Sequence, residues 1–182
     1  MHQEDDAPAR VYDNVGGMDS VERDFARWEQ TPPPELFGDA IWRLPAYRIS
    51  RYLALLVADD ADAIRPRSPR VADQLERAVD SIGINIAEGY GRLHGRERAR
   101  FYEFALGSAR EAREWYARAG RSLAPDAVLG RAKLLTRAVK ILTAVIPRER
   151  AGSSEKRMRD ASLRALEGGP WPSAAPRSSN EP

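Results

Sequence analysis

The sequence predicts an all-α protein, an antiparallel up-down four-helix bundle over residues 36–147 with disordered N- and C-terminal tails. Four segments repeat apolar residues at alternating steps of three and four, which is the spacing of one helix face. Proline and glycine residues separate these segments, and such short connections favour antiparallel neighbours. With 182 residues, 42% of them hydrophobic, the chain is long enough to bury one sizeable core.

The N-terminal arm, residues 1–35, is predicted to be disordered. Residues 1–34 carry a net charge of −5 and end in three consecutive prolines, a run that favours an extended spacer. Within this arm, the segment Asp19–Trp28 is compatible with a short helix because its apolar residues fall on one face.

The first helix of the bundle is predicted from about Asp39 to Ala58. Asp39 suits an N-cap, and an apolar stripe runs from Trp42 to Leu56. Pro45 interrupts this pattern because proline lacks the backbone donor that a helix interior needs. It is therefore expected either to kink the helix or to delay its start.

The second helix is predicted to begin at Pro69, with Ser68 as its N-cap, and to end near Gly89. Gly89 and Gly91 suit a left-handed C-terminal cap. The third helix is predicted over residues 96–122. Small residues in its middle, including Gly107, predict that a neighbouring helix approaches closely there.

The fourth helix is predicted from about Pro125 to Ile146, with Pro147 ending it. It carries two apolar stripes, whereas a surface helix needs one. The second stripe therefore predicts burial against another subunit, or against the first helix if the bundle is wide. Residues 148–182 are rich in Gly, Ser, Pro and charge, which predicts a disordered tail.

The composition gives no support for a catalytic, cofactor-binding or metal site. The chain has no cysteine, which excludes disulfides and thiolate metal sites. Its histidines are His2 and His94, and neither belongs to a Glu-x-x-His pair of the kind that binds metals in helical bundles. The segment Gly89-Tyr90-Gly91 lacks the lysine and the preceding strand of a phosphate loop. An enzyme is therefore the least favoured class, and no cofactor is expected.

The sequence also favours a cytoplasmic location without a membrane partner. No window approaches the roughly 18 apolar residues that a membrane-spanning helix needs. The acidic N-terminus, residues 1–6, lacks the apolar core of a signal peptide.

Two polar residues, Asn85 and Glu88, lie on the otherwise apolar second helix. One interpretation is structural: Asn85 bridges helices, and Glu88 pairs with an arginine such as Arg92, because buried polar groups need partners. The alternative is a polar site at the end of the bundle formed by these three residues.

Basic residues are concentrated around the turn between the second and third helices. Residues 35–150 carry a net charge of +6, and a basic surface attracts phosphate. Aromatic rings at Tyr90, His94 and Tyr102 are interleaved with the arginines, a combination that binds phosphates and stacks on unpaired bases. The alternative is an ordinary solvated helix end, partly neutralised by nearby glutamates. The candidate nucleic-acid-binding residues are Arg92, Arg96, Arg98, Arg100, Arg110 and Arg113.

Two segments carry a more specific pattern, Ser81–Arg92 and Phe101–Ser108, with agreeing spacings across two helices. Together with the helix that contains Trp42, they resemble the proteins encoded by intervening sequences in bacterial 23S rRNA genes. That family is similar to the accessory proteins of diversity-generating retroelements. The resemblance covers about residues 36–146. Its signature residues here are Ser81, Asn85, Glu88, Gly89, Gly91, Phe101, Gly107 and Ser108.

The resemblance implies a four-helix bundle that assembles as a ring-like homopentamer with a basic surface for nucleic acid. Its retroelement relatives imply a non-catalytic partner of a reverse transcriptase and its template RNA. The expected function is therefore non-enzymatic binding of structured RNA or DNA, or of a nucleoprotein. The alternative is a protein-interaction scaffold without a nucleic-acid role, in which the tails bind the partner. The chain departs from the family pattern at Pro45, at His94-Gly95 and in both tails.

Overall fold

The computed structural model describes residues 20–152, and this part of the chain is all-helical. Two short 3₁₀ turns, Pro34–Leu36 and Ala40–Arg43, precede the second α-helix. The four long helices contact one another in the cyclic order α2, α3, α4, α5 and back to α2. The five α-helices are α1 (Ser20–Trp28), α2 (Pro45–Ile64), α3 (Pro69–Tyr90), α4 (Gly95–Ala119) and α5 (Pro125–Arg150).

The core lies between the four long helices, and small side chains on α4 make it tight. The buried side of α4 consists mainly of alanines, with Tyr102 and Tyr116 filling the larger spaces. At Gly89 a Cβ atom would lie 2.9 Å from the Cβ of Phe101, so only glycine allows α3 and α4 to approach this closely. The alignment of α3 on α4 therefore depends on this position.

The number of packed helices differs from the prediction, because α1 is a fifth helix on the bundle. Val21 and Phe25 are buried, and a Cβ atom at Gly130 would lie 2.6 Å from a methyl carbon of Val21. The helix thus packs directly on α5. The predicted all-α fold class is correct, but α1, which is part of the N-terminal arm predicted to be disordered, contributes to the core. The remaining predictions for the tails, on residues 1–19 and 153–182, lie outside the described residues.

Pro45 delays the start of the first long helix rather than kinking it. Asp39 Oδ1 accepts a hydrogen bond from Ile41 N at 2.9 Å and caps the 3₁₀ turn that ends at Arg43. Pro45 then occupies the first position of α2, where its missing N–H costs nothing. Of the two predicted outcomes, the delayed start is the one observed.

Several predicted helix ends are wrong. Helix α2 continues past the predicted end at Ala58 to Ile64. Gly91 has φ −72° and caps α3 in a right-handed conformation, with its N–H donating to the carbonyl oxygen of Ala87, instead of the predicted left-handed cap. Pro147 does not end α5, which continues to Arg150. Proline removes one helical hydrogen bond, but the last turn is held because Glu149 is buried against α4. The predicted boundary between residues 147 and 148 therefore falls inside a helix.

The second apolar stripe of α5 is covered to a large extent within one chain. Leu134 and Ala138 are buried, while Ile141 and Val145 are half-buried. Both α1 and α2 pack on α5. The alternative of burial inside the same bundle therefore accounts for the innermost half of this stripe, with α1 as an additional cover.

Candidate nucleic-acid interface

Three of the predicted arginines meet at one end of the bundle. Arg92 lies in the turn after α3, and Arg96 and Arg100 lie one turn apart in the first part of α4. All three are exposed. Because residues four apart share one helix face, Arg96 and Arg100 point to the same side of α4.

Two phenylalanines link these arginines into a connected surface, the Arg/Phe array, which consists of Arg92, Phe101, Phe104 and Arg100. The guanidinium carbon of Arg92 lies 4.8 Å from the ring centroid of Phe101, and that of Arg100 lies 5.7 Å from the ring centroid of Phe104. The two rings are 6.0 Å apart and meet edge to face at 82°. Phe104 is 47% exposed. Such a surface offers guanidinium donors for phosphates and ring faces for unpaired bases.

Arg92 also pairs with Glu88, as the structural interpretation of Glu88 predicts. Its Nη2 atom lies 2.5 Å from Glu88 Oε1, one helical turn away, and both side chains are partly exposed. An exposed pair of this kind contributes at most about 1 kcal/mol. A phosphate can therefore replace the carboxylate at little cost in stability.

Arg98 lies inside the bundle, in contrast to the other arginines of the predicted cluster. It is 2% exposed. Its Nε donates to Glu149 Oε2 at 2.6 Å and its Nη1 donates to the carbonyl oxygen of Arg92 at 2.5 Å. The burial follows from the continuation of α5 past Pro147, which brings Glu149 to the start of α4. Arg98 thus holds the turn that carries Arg92 and does not face solvent.

Arg110 and Arg113 do not extend the array along α4. At 3.6 residues per turn, Arg113 lies about 140° around the helix axis from Arg100, and Arg110 about 80°. Arg113 is half-buried and Arg110 is exposed. The predicted row of arginines along one helix is therefore divided between different faces.

The aromatic residues of the surface also differ from the predicted set. Tyr102 is buried, and burial, with a smaller effect of Glu149, raises the pKa of its hydroxyl far above its usual value. Tyr90 is half-buried, and His94 is the exposed N-cap residue of α4. Phe101 and Phe104 provide the rings instead. The spacing of Arg100 and Phe104, four residues apart on one helix, is the sequence signal that points to this pair.

The polar signature residues form a hydrogen-bonded cluster between α3 and α4. Asn85 Nδ2 donates to the carbonyl oxygen of Ser81 at 2.7 Å and lies 2.9 Å from Ser81 Oγ. Across the helix contact, Ser108 Oγ lies 3.0 Å from Ser81 Oγ. The contact between α3 and α4 is therefore made by Ser81 and Ser108, whereas the hydrogen bonds of Asn85 stay within α3 and do not form the predicted bridge between helices.

The signature glycines have different surroundings. Gly89 is enclosed by Phe101 and Tyr102, as described for the core. If a Cβ atom were added at Gly107, no atom of residues 20–152 outside the backbone of its own helix would lie within 4 Å of it. The close approach predicted at Gly107 is thus not made by any other helix of residues 20–152, and the glycine leaves open space on the surface of α4.

A second buried polar cluster joins α2, α4 and α5. Asp60 Oδ2 accepts hydrogen bonds from Tyr116 Oη at 2.8 Å and from Arg131 Nε at 3.0 Å. Its charge is compensated by Arg131, and each group has a partner, so the cluster serves the core. Across residues 20–152 no group of three or more metal-ligating side chains comes together. No helix in this range is long and apolar enough to cross a membrane.

Comparison with known families gives one match. The family model described as 23S rRNA-intervening sequence protein matches residues 44–123. This segment contains α2, α3 and α4, and with them the Arg/Phe array and the signature cluster, whereas α1 and α5 lie outside it. Searches of curated proteins and of solved structures gave no match. Residues 44–123 of the chain are therefore similar to the 23S rRNA-intervening sequence protein family.

Proposed function

We propose that this is a non-enzymatic cytoplasmic protein that binds RNA through the Arg/Phe array and Arg96. The observation that carries the proposal is the array itself. Three exposed arginines and an exposed phenylalanine ring lie together at one end of a rigid helical bundle. Buried contacts of Arg98 to Glu149 and to the carbonyl oxygen of Arg92 hold the turn in place. A surface fixed in this way loses little conformational entropy on binding.

The chemistry of the array favours RNA with unpaired nucleotides. Ring faces and guanidinium planes stack on bases that are not already stacked in a helix, and the guanidinium N–H groups donate to phosphates. A fully paired duplex offers phosphates but no free base faces. The name of the family, which refers to intervening sequences of 23S rRNA, is a second support for RNA as the ligand.

We also propose that the protein is a homo-oligomer, and the family resemblance implies a pentamer. Within each chain, we propose that the four long helices run alternately up and down. The support is on the exposed side of α3 and α4. Ile84 is 63% exposed, and the surface at Gly107 is open. Both residues are direct neighbours in sequence of the signature cluster, at Asn85 and Ser108. An apolar side chain and an open glycine surface are suited to a second copy.

A reverse transcriptase as partner is a proposal that rests on the resemblance to retroelement accessory proteins alone. A protein-interaction scaffold is the competing class. Leu93, which is 82% exposed in the turn between α3 and α4, favours it because such a side chain suits an apolar partner surface. Co-purification with and without nuclease treatment separates the two, since a scaffold keeps its partners when RNA is removed.

The test is fluorescence anisotropy with two labelled RNAs, a single-stranded oligonucleotide and a blunt duplex of equal length. We expect tighter binding of the single strand. With three phosphate contacts from the three arginines, and a salt slope of about 0.7 per contact for a single strand, its affinity should fall roughly 20-fold between about 50 and 200 mM salt. Phe104→Ala should weaken single-strand binding by roughly 1–3 kcal/mol.

The matched control is Phe37→Ala, which removes an exposed phenylalanine far from the array in sequence. It should leave both affinities unchanged. Absence of single-strand binding at the lower salt concentration, or equal losses from the two phenylalanine variants, would overturn the proposal.

A further inference from the structure

The outward side of α5 carries charge of a single sign. Between Asp126 and Glu149 the helix has five basic residues and no acidic residue. One of the five, Arg131, is turned inward and pairs with Asp60. The other four form what we call the α5 basic face: Lys133, Arg137, Lys140 and Arg148.

The spacing of these residues places them on one side of the helix. Lys133, Arg137 and Lys140 follow steps of four and three, and Arg148 comes eleven residues, about three turns, after Arg137. The first three line one groove between α1 and α5, together with Thr136 and Glu22. At 1.5 Å per residue the face is about 22 Å long.

The positive charge of this face is compensated only in part by its neighbours. Lys133 pairs with Glu22 at 3.6 Å, whereas Arg137 and Lys140 are exposed and form no ion pair with any residue in the described range. On α4, in contrast, four acidic residues alternate with six basic ones. Charge of one sign along a helix attracts a polyanion more strongly than an alternating row does.

The face is held in position by α1. The guanidinium carbon of Arg137 lies 5.6 Å from the ring centroid of the buried Phe25. The ring fixes the side chain while the outer N–H groups remain available as donors. Both α1 and α5 lie outside the family match at residues 44–123, so the matched segment does not include this surface.

The α5 basic face and the Arg/Phe array meet at one end of the bundle. Arg98 pairs with Glu149, and Arg150 with Glu103, so the end of α5 lies at the start of α4. Arg96 and Arg150 line the same surface groove there. A single nucleic acid can therefore contact both surfaces.

We propose that the α5 basic face is a second nucleic-acid-binding surface, which holds the phosphate backbone of a paired RNA stem while the array holds its unpaired end. Lysine and threonine side chains donate to phosphates without reading bases, and the face has no exposed aromatic ring for stacking. The ligand class is therefore a stem with an adjoining single strand. This inference rests on the proposed function, RNA binding by the array.

The test is the triple variant Lys133→Gln, Arg137→Gln, Lys140→Gln. The probes are a hairpin with a single-stranded extension and the extension alone. For the hairpin we expect at least about a tenfold loss of affinity at low salt and a salt slope lower by about 2–3, because each phosphate contact contributes roughly one. Binding of the extension alone should change less than about twofold, since those phosphates contact the array.

Two controls accompany this variant. Arg70→Gln, Arg77→Gln, Arg121→Gln removes the same charge from exposed positions elsewhere and should leave the hairpin slope near that of the wild type. Lys133→Arg, Arg137→Lys, Lys140→Arg keeps every charge and should bind like the wild type. If the glutamine triple loses helicity, the single variant Lys140→Gln decides, with an expected slope decrease of about one.

The outcomes separate the two proposals. If the glutamine triple and its charge-matched control bind the hairpin equally well, the proposal for the α5 basic face is overturned, while the proposal for the array is not. A wild-type protein that binds neither probe overturns both the face and the array. A loss for the hairpin with the extension unaffected supports the face as a distinct surface.

Discussion

At the scale of single residues, the ion pair between Arg98 and Glu149 determines how the end of the bundle is built. The two side chains are 2% and 10% exposed and lie 51 residues apart in the chain. Removing one partner leaves the other charged and buried, which costs much more than the pair contributes when it is intact.

We therefore expect Glu149→Ala to lower the free energy of unfolding by about 3–5 kcal/mol. The double variant Arg98→Met, Glu149→Leu should be more stable than the single variant, because it removes both charges. Urea unfolding of Arg98→Met, of Glu149→Leu and of the double variant gives the coupling between the two positions. A loss below about 1 kcal/mol for Glu149→Ala would contradict the buried pair.

Two buried tyrosines predict how stability depends on alkaline pH. Burial raises the pKa of Tyr116 well above its usual value of 10.0, and the neighbouring Asp60 raises it further; burial does the same for Tyr102. In the unfolded chain these hydroxyls ionise near pH 10, so above this pH the unfolded state binds fewer protons than the folded state.

Stability should therefore be insensitive to these groups below about pH 10 and should fall as pH rises above it. Denaturant unfolding at about pH 9 and 11 measures the slope. The variant Tyr102→Phe, Tyr116→Phe should start from a lower stability but show a weaker decrease. The same decrease in the variant and the wild type would exclude these residues as its cause.

At the scale of helices, local signals predicted starts better than ends. Both α3 and α5 begin at the predicted prolines, Pro69 and Pro125, because proline at the first position acts within one turn. The end of α5 depends on an ion pair to α4 that no local pattern contains. The same contact buries Arg98, which sequence spacing alone places with the exposed arginines.

Helix α1 is a second case in which local sequence does not determine the structure. Nine residues are too few for a stable isolated helix, so its sequence allows a helix without requiring one. It is stabilised by its contact with α5 and by the aromatic group of Phe25, Trp28, Trp42 and Tyr52, in which ring centroids lie 5.2–6.3 Å apart. The two apolar stripes on α5 predicted that a further segment packs on this helix, but they did not identify α1 as that segment.

The contribution of α1 gives a direct prediction. Phe25→Ala should cost about 3–5 kcal/mol of unfolding free energy, because it removes a fully buried aromatic ring and leaves a cavity. Phe37→Ala, at an exposed ring, should stay within about 0.5 kcal/mol of the wild type. Thermal or urea unfolding compares them. Equal, small effects would show that α1 does not contribute to the core.

At the scale of the whole molecule, the structure changes the argument for self-association. The inner half of the second stripe of α5 is covered within the chain, so the proposed oligomer depends on the side of α3 and α4 at Ile84 and Gly107. The family resemblance predicts the assembly from sequence, but a single chain shows only which apolar surface it leaves open.

Ile84→Glu is therefore expected to shift the protein from oligomer to monomer, because a charge in an apolar contact is costly to desolvate. Leu55→Glu places the same charge at another exposed apolar position, on α2, and should leave the oligomer intact. Sedimentation velocity over a range of protein concentrations measures both. A wild-type protein that sediments as a monomer at every concentration would contradict the proposal.

The central claim, that the Arg/Phe array binds RNA, is tested most directly by one anisotropy titration. The variant Arg92→Gln, Arg96→Gln, Arg100→Gln is compared with the charge-matched variant Arg70→Gln, Arg77→Gln, Arg121→Gln on a single-stranded RNA at two salt concentrations. The account predicts that the first variant binds much more weakly, with a salt slope lower by about 2–3, and that the second binds like the wild type. Equal affinities for the two variants would contradict it.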